Sequence, residues 1–244
     1  MRIPRIFTEQ ALSADRQLLL EAGPSHHIAK VLRMQAGREL VLFDGRGGEY
    51  AATLTAVGKK QVEVALGAFS AADRSSPLST TLAIGLSRGE RFDWVLQKAT
   101  ELGVTRIQPL LTERTEVKLS GDRAAKRQLH WRQVTISACE QCQRNRLPQL
   151  DAPLSLDSWL QQQADNTDAL RLVLHHRSDK ALGDYTQPQA ASLLVGPEGG
   201  LNEAEIAAAQ MAGFQPLTLG PRVLRTETAP LAALGVLQYL WGDW

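Results

Sequence analysis

The chain reads as an α/β protein preceded by a smaller β-rich domain, and three patterns predict this. The first seventy residues carry short period-two segments divided by turn signals. From Thr80 onward, short apolar runs alternate with helical spacings, the pattern of a parallel sheet covered by helices. Between them Ser70–Ser79 is rich in Ser, Ala and Asp, contains Pro77, and reads as a linker. The expected division is a domain over 1–70, a linker over 71–79 and a second domain over 80–244.

In the first domain, Glu39–Phe43 is a strand that stops at Asp44 and Gly45, a strong turn signal. Glu49–Val57 is the next strand, Gly58–Lys60 a turn, and Gln61–Leu66 alternates again. These segments predict a small antiparallel barrel, with His26–Met34 as a short helix packed on it. In the second domain Thr81–Leu86 is an apolar strand. Arg91–Leu102 places Phe92, Val95, Ala99 and Leu102 at helical spacing, with Gly103 as a stop. Arg106–Leu111 is a strand and Asp122–Arg144 a long helix. Arg171–Leu174 and Ala191–Val195 are short strands buried on both faces. Asn202 with Glu205 three residues on predicts a capping box. That helix ends near Gly213, Pro216–Leu219 is the last strand, and Ala229–Leu240 the last helix.

Composition excludes several classes. Among 244 residues, 43% hydrophobic and 22% charged is ordinary for a globular protein. Met1–Phe7 lacks the apolar run of a secretory signal, and no stretch stays apolar for about eighteen residues, so no membrane span is expected. Cys139 and Cys142 are the two cysteines; with no secretion signal they predict a reducing, cytoplasmic setting. Their spacing is half a zinc site without a second cysteine pair, and the adjacent His175 and His176 would point to opposite faces of a strand. No metal is therefore expected. Net charge is +1, but residues 85–147 hold twelve Lys/Arg against seven Asp/Glu and residues 148–219 hold three against nine. A basic sector beside an acidic one suits a polyanion on one face.

No phosphate loop ending in Lys-Ser/Thr is present, and no Gly-x-Gly-x-x-Gly opens a helix after a strand. Asp44–Gly48 is glycine-rich, but its place between two strands makes it a turn. The informative segments are two. Leu193–Gly200 ends a buried strand in Gly196, Pro197, Glu198, Gly199 and Gly200, glycines that let a ligand approach bare backbone. Ligands of open parallel sheets bind at the carboxyl ends of strands, where this loop falls. Leu219–Thr228 also joins a strand to a helix and holds Arg222, Arg225, Thr226, Glu227 and Thr228, a composition too polar to bury without a partner. Together they predict a pocket.

These two loops resemble those of the RsmE family of ribosomal RNA uridine N3-methyltransferases, within the knotted SPOUT methyltransferases. Met1–Arg5, His27–Met34, Leu42–Gly45, Ser87–Trp94, Gln97–Gly103, Leu111–Arg114 and Glu140–Arg144 are similar to further family motifs, in order along the chain. Gln143 stands where family members commonly have glycine, which puts the local turn in question. The resemblance implies a PUA-like or OB-like barrel that helps bind RNA. It implies a C-terminal α/β domain threaded through a trefoil knot, a bound S-adenosylmethionine (SAM), and a homodimer. The implied target is N3 of one uridine near the decoding centre of 16S rRNA, modified on the assembled 30S subunit. A tRNA substrate, or an RNA-binding assembly factor without catalysis, are the alternatives.

The chemistry needs in-line placement, removal of the N3 proton and stabilisation of the uracil anion. Glu198 and Glu227 are candidate bases, with loop orientation as their alternative role. Arg225 or Arg222 could stabilise the anion or grip phosphate, or else pair with Glu227. The expected cofactor set is Leu111, Thr112, Gly196, Pro197, Gly199, Gly200, Leu219, Gly220, Arg222, Leu224, Thr226 and Thr228. The expected catalytic set is Glu198, Arg225 and Glu227. The expected RNA contacts are Arg2, Arg5, Lys30, Arg33, Arg88, Arg91, Arg114, Arg144 and Arg146.

Overall fold

The computed structural model describes residues 3–117, 121–163, 169–174 and 182–244. Arg2, His175 and His176 lie outside the described residues. The chain divides into two compact units: Met1–Ser75 with Ile136–Leu147, and Ser76–Thr135 with Pro148–Trp244. The first unit thus recruits a segment far away in sequence, which the division at residues 70 and 80 does not anticipate.

The first unit holds strands β1 (Arg5–Phe7), β2 (Gln17–Leu19), β3 (Glu39–Phe43), β4 (Glu49–Val57) and β5 (Val62–Ser70), with a short helix α1 (Ala22–His26) running into a π-helical stretch at His27–Val31. The sheet order is β1-β3-β4-β5-β2. It differs from a purely antiparallel barrel in two ways: β1 runs parallel to β3, and β1 and β2 end the order as edges. Neither edge strand was read from the sequence, because three residues are too few to show a period. Alternation along β4 and β5 sends Ala52, Leu54, Val62, Val64 and Leu66 inward onto Ile6, Ile28, Leu40 and Leu42. The segment recruited from later in the chain brings Ile136 and Cys139 against Phe7 and Phe43. Glu140 accepts a hydrogen bond from the Phe7 amide at 2.9 Å, so β1 is pinned there.

The second unit holds β6 (Ser79–Gly85), α2 (Glu90–Glu101), β7 (Arg106–Leu111), most of α3 (Gly121–Cys142), β8 (Gln149–Leu150), β9 (Leu154–Ser155), α4 (Leu156–Gln163), β10 (Ala169–Leu174), β11 (Ala190–Val195), α5 (Glu203–Met211), β12 (Gln215–Leu217) and α6 (Ala229–Trp241). Its sheet runs β12-β10-β11-β6-β7-β8, with β9 also on β7, and every described pairing is parallel. Successive strand residues face opposite sides, and both sides are apolar. Leu82, Ile84, Leu172, Leu193 and Val195 pack with Phe92 and Val95 of α2 and Leu234 and Leu237 of α6. Ala83, Val173 and Leu194 pack with Trp159 of α4, Ala209 of α5 and Phe214. A sheet covered on both faces needs strands without polar alternation, which is why β10 and β11 are apolar apart from Arg171 and Ser192.

Candidate cofactor site

The strand order puts the ends of β10, β11 and β12 side by side. A cavity of about 440 Å³ opens there, lined by Leu174, Val195 and Leu217, the last residue of each strand, and by the loops that follow β11 and β12. This is where ligands of open parallel sheets sit.

The loop after β11 is shaped by its backbone. A Cβ on Gly196 would stand 2.7 Å from the Leu201 nitrogen and 2.8 Å from the Gly200 carbonyl carbon, so no side chain fits. The Gly200 amide donates to the Pro197 carbonyl at 2.8 Å and closes the turn. Asn202 then caps α5: its side chain accepts from the Glu205 amide at 2.8 Å while Glu205 accepts from the Asn202 amide at 2.9 Å. Glu205 also accepts from the Glu113 amide at 2.8 Å, and Asn202 donates to Glu113 at 2.6 Å. The capping box thereby ties the loop to the segment after β7.

Of the expected cofactor residues, Gly196, Pro197, Gly200, Leu219, Gly220, Arg222, Leu224 and Thr226 line the cavity. Leu111, Thr112, Gly199 and Thr228 fall outside its lining. Thr112 is occupied by Thr115, whose hydroxyl lies 3.0 Å away. The Gly199 carbonyl accepts from Arg114 at 2.7 Å, so this glycine is the seat of an arginine. Apart from Glu198, the rest of the wall is Leu174, Val195, Leu201, Ile206, Leu217, Thr218, Pro221, Val223 and Ala229, none of them among the residues expected from the sequence. The rule that ligands sit beyond strand carboxyl ends would have found Val195 and Leu217, whereas Ile206 needs the fold of α5.

Of the expected catalytic residues, Glu198 lines the cavity, while Arg225 and Glu227 do not. Burial pushes the Glu198 pKa up. The opposing pull is greater: its own amide and that of Arg88, at 3.0 Å, donate to it, and the Arg91 guanidinium stands 3.1 Å away. The net pKa is lowered, so the group is a held anion and a weak proton acceptor. The Arg225 side chain is exposed, and its carbonyl accepts from the Thr228 and Ala229 amides, each at 2.9 Å. Among the described residues no ion pair joins Arg222 or Arg225 to Glu227.

The expected RNA contacts separate. Arg5 is buried, with Glu49 at 2.5 Å and Asn145 as a second partner, and Arg144 is buried as well. Both side chains are buried away from solvent, which corrects their assignment as phosphate contacts. Lys30 and Arg33 are exposed. Arg146 is half exposed, with Asp73 at 2.9 Å. Arg88 pairs with Glu116 at 2.6 Å, and Arg91 and Arg114 hold the 196–200 loop. Among the described residues no group of three or more His, Cys, Asp or Glu could hold a metal. No described helix is long and apolar enough to cross a membrane.

An apolar cleft with glycine backbone and a few charges, at the carboxyl ends of a parallel sheet, is a site for a small organic cofactor, and the family matches make the class that of an RNA methyltransferase. Residues 74–238 match the family model of an RNA methyltransferase domain and residues 24–66 that of an RNA methyltransferase PUA domain. The chain belongs to the ribosomal RNA small subunit methyltransferase E family. It is 33% identical to the Bacillus subtilis member over 95% of this chain and 93% of that one. It is 31% identical to a Buchnera aphidicola member over 99% of this chain and 98% of that one. Among solved structures, a Legionella pneumophila protein in complex with SAM matches with TM-score 0.96 at 42% identity, covering both chains completely. The Neisseria gonorrhoeae methyltransferase E bound to SAM matches with TM-score 0.92 at 40% identity, again over all of both chains.

Proposed function

We propose that this rRNA methyltransferase takes SAM into the cavity between the 196–200 and 219–226 loops and methylates N3 of one uridine of 16S rRNA in the assembled 30S subunit. The observation that carries this reading is the cavity itself. Two loops separated by some twenty residues of sequence converge beyond β11 and β12, the strands on either side of β10, and their lining is apolar with one anion, Glu198, and one cation, Arg222. SAM, which carries cations, a carboxylate and a flat base, fits that chemistry. Val195, Leu201, Ile206 and Leu219 would hold the adenine, with backbone groups of both loops for its polar edges. Arg222 would take the carboxylate.

Bound SAM supplies an already activated methyl group. The protein's share is to place uracil N3 and to let its proton go. Arg225, next to the cavity-lining Leu224 and Thr226, would stabilise the uracil anion. Glu198, committed to Arg88 and Arg91, would orient its loop, which leaves Glu227 as the candidate base. The notion of a threaded chain end belongs to this proposal too: α6 leaves edge strand β12 and packs on β11 and α2. So does a homodimer, supported by an exposed apolar stripe at Val236, Tyr239 and Leu240 of α6 with Trp244 beyond. A ribosomal substrate places the work in the cytoplasm. The test is transfer of labelled methyl from SAM to purified 30S subunits, naked 16S rRNA and tRNA in parallel. Labelling of the subunits is expected; labelling of tRNA alone, or of nothing despite SAM binding, would overturn the reading.

A further inference from the structure

The Asp44–Gly48 turn joins β3 to β4, and a turn needs fewer glycines than the three found here. The structure shows what they make room for. Gly48 has φ +73, and a Cβ on it would stand 2.3 Å from the Phe69 ring. A Cβ on Gly47 would stand 2.7 Å from an Arg146 guanidinium nitrogen. Phe69 therefore lies against bare backbone on one side. Tyr50 holds it on another, with ring centroids 5.0 Å apart and planes tilted by 48°. Tyr50 is itself anchored through its hydroxyl, which donates to the Leu12 carbonyl at 3.2 Å. Even so, Phe69 is 51% exposed. The ring is thus fixed in advance and open to solvent, a combination that costs a binding partner little ordering entropy.

The surroundings say which partner. Arg146 donates to the Arg46 carbonyl at 2.6 Å, and residues 46 and 146 form a β-bridge, so two arginines stand side by side. Arg74 lies in the same unit, on Glu49 at 3.4 Å and on the Gln143 carbonyl at 3.1 Å. The acids nearby are committed: Asp73 to Arg146, Glu49 to Arg5 and Arg74, and Asp44 to the Arg46 amide. Among the described residues no acid pairs with the exposed Arg46 side chain. Neighbouring guanidiniums repel unless an anion joins them, and an exposed aromatic beside arginines is the platform on which unpaired bases stack while their phosphates are gripped.

We propose that Phe69, Arg46 and Arg146 form a docking site for an unpaired nucleotide of RNA, the base stacked on Phe69 and its phosphate on the two arginines. The site rests on the reading of the chain as an RNA enzyme, but it lies wholly in the first unit and its test does not require catalysis. Fluorescein-labelled oligouridylate is titrated into the full chain and followed by anisotropy. Wild type binds, Phe69→Leu weakens binding about tenfold or more, and Phe69→Trp retains it. Leucine still covers Gly48, so a packing role would leave that variant unaffected. Arg46→Ala weakens binding and lowers the slope of log affinity against log salt by about one. SAM affinity, measured by calorimetry, stays at the wild-type value in all three. Equal binding by wild type and Phe69→Leu, no binding by wild type, or a tryptophan variant as weak as leucine each overturns the proposal. So does a raised KM for 30S subunits in Phe69→Leu with unchanged oligouridylate binding, which would mean a protein contact. Failure of wild type to methylate subunits counts against the functional reading alone.

Discussion

Glu198 carries its charge throughout the neutral range, and that decides its role. Its pKa is lowered because hydrogen bonds from its own amide and that of Arg88, together with Arg91, outweigh burial. A carboxylate whose folded pKa is depressed contributes above the ordinary value, here 4.5, and loses that contribution as pH falls through the lower folded value. SAM affinity measured by calorimetry should therefore be flat across the neutral range and fall only in acid below that value. Glu198→Gln keeps the acceptor and loses the charge. Its single-turnover rate should fall by less than the ~10²–10⁴-fold that loss of a general base costs; a loss within that range, rescued by alkali, would restore Glu198 as the base. Gln143 answers the question raised by the missing glycine: it follows α3 with φ 68, the left-handed conformation that glycine adopts without strain. After the extra chain entropy of glycine is subtracted, Gln143→Gly should stabilise the protein by about 0.5–1 kcal/mol, read as a higher Tm. Cys139 is buried, and burial pushes its thiol up to about 12. Iodoacetamide at neutral pH should spare it in the folded protein and modify it once the protein is unfolded.

At the scale of elements, the loops and their caps were legible because they depend on local chemistry. Asn202 and Glu205 gave the start of α5 from sequence spacing, and both reciprocal bonds are made. Asn202→Ala removes the cap and the tie to Glu113, so a loss of about 1 kcal/mol is expected, seen as a Tm lowered by roughly 2–4 °C. The sequence predicts approach of a ligand to bare backbone at Gly196, whereas the close approach there is by the loop's own backbone at Gly200 and Leu201. Gly196→Val should displace that turn and cost on the order of 10²-fold in methyl transfer, with the circular dichroism of the wild type. Other elements were silent for physical reasons. The helix α4 offers only Leu156, Trp159 and Leu160 as buried residues, too short a period to be distinctive. The edge strands β1 and β2 exist through pairing with distant partners, and β1 through Glu140. Arg5 and Arg144 look like any surface arginines in sequence, and only folding reveals that they are buried.

For the whole molecule, alternation of strands and helices was enough to place the parallel sheet, since covering both faces leaves continuous apolar runs. It could not reveal that Ile136–Leu147 joins the first unit, because nothing in one stretch of chain encodes its distant partner. Nor could it reveal what covers the stripe on α6. If that stripe joins two copies, Tyr239→Glu should turn a dimer into a monomer in sedimentation, whereas a wild-type chain that sediments as a monomer at all concentrations would contradict the dimer. In the proposed function, loops beyond β11 and β12 hold SAM so that one uridine of the small subunit's rRNA is methylated at N3. It is tested most directly by incubating unmodified 30S subunits with the protein and SAM, digesting the 16S rRNA and identifying the modified nucleoside by mass spectrometry. The expected product is 3-methyluridine at a single position, absent without SAM and strongly reduced with Gly196→Val. Methylation of a ribose hydroxyl or of another base, or 3-methyluridine formed equally by Gly196→Val, would contradict it.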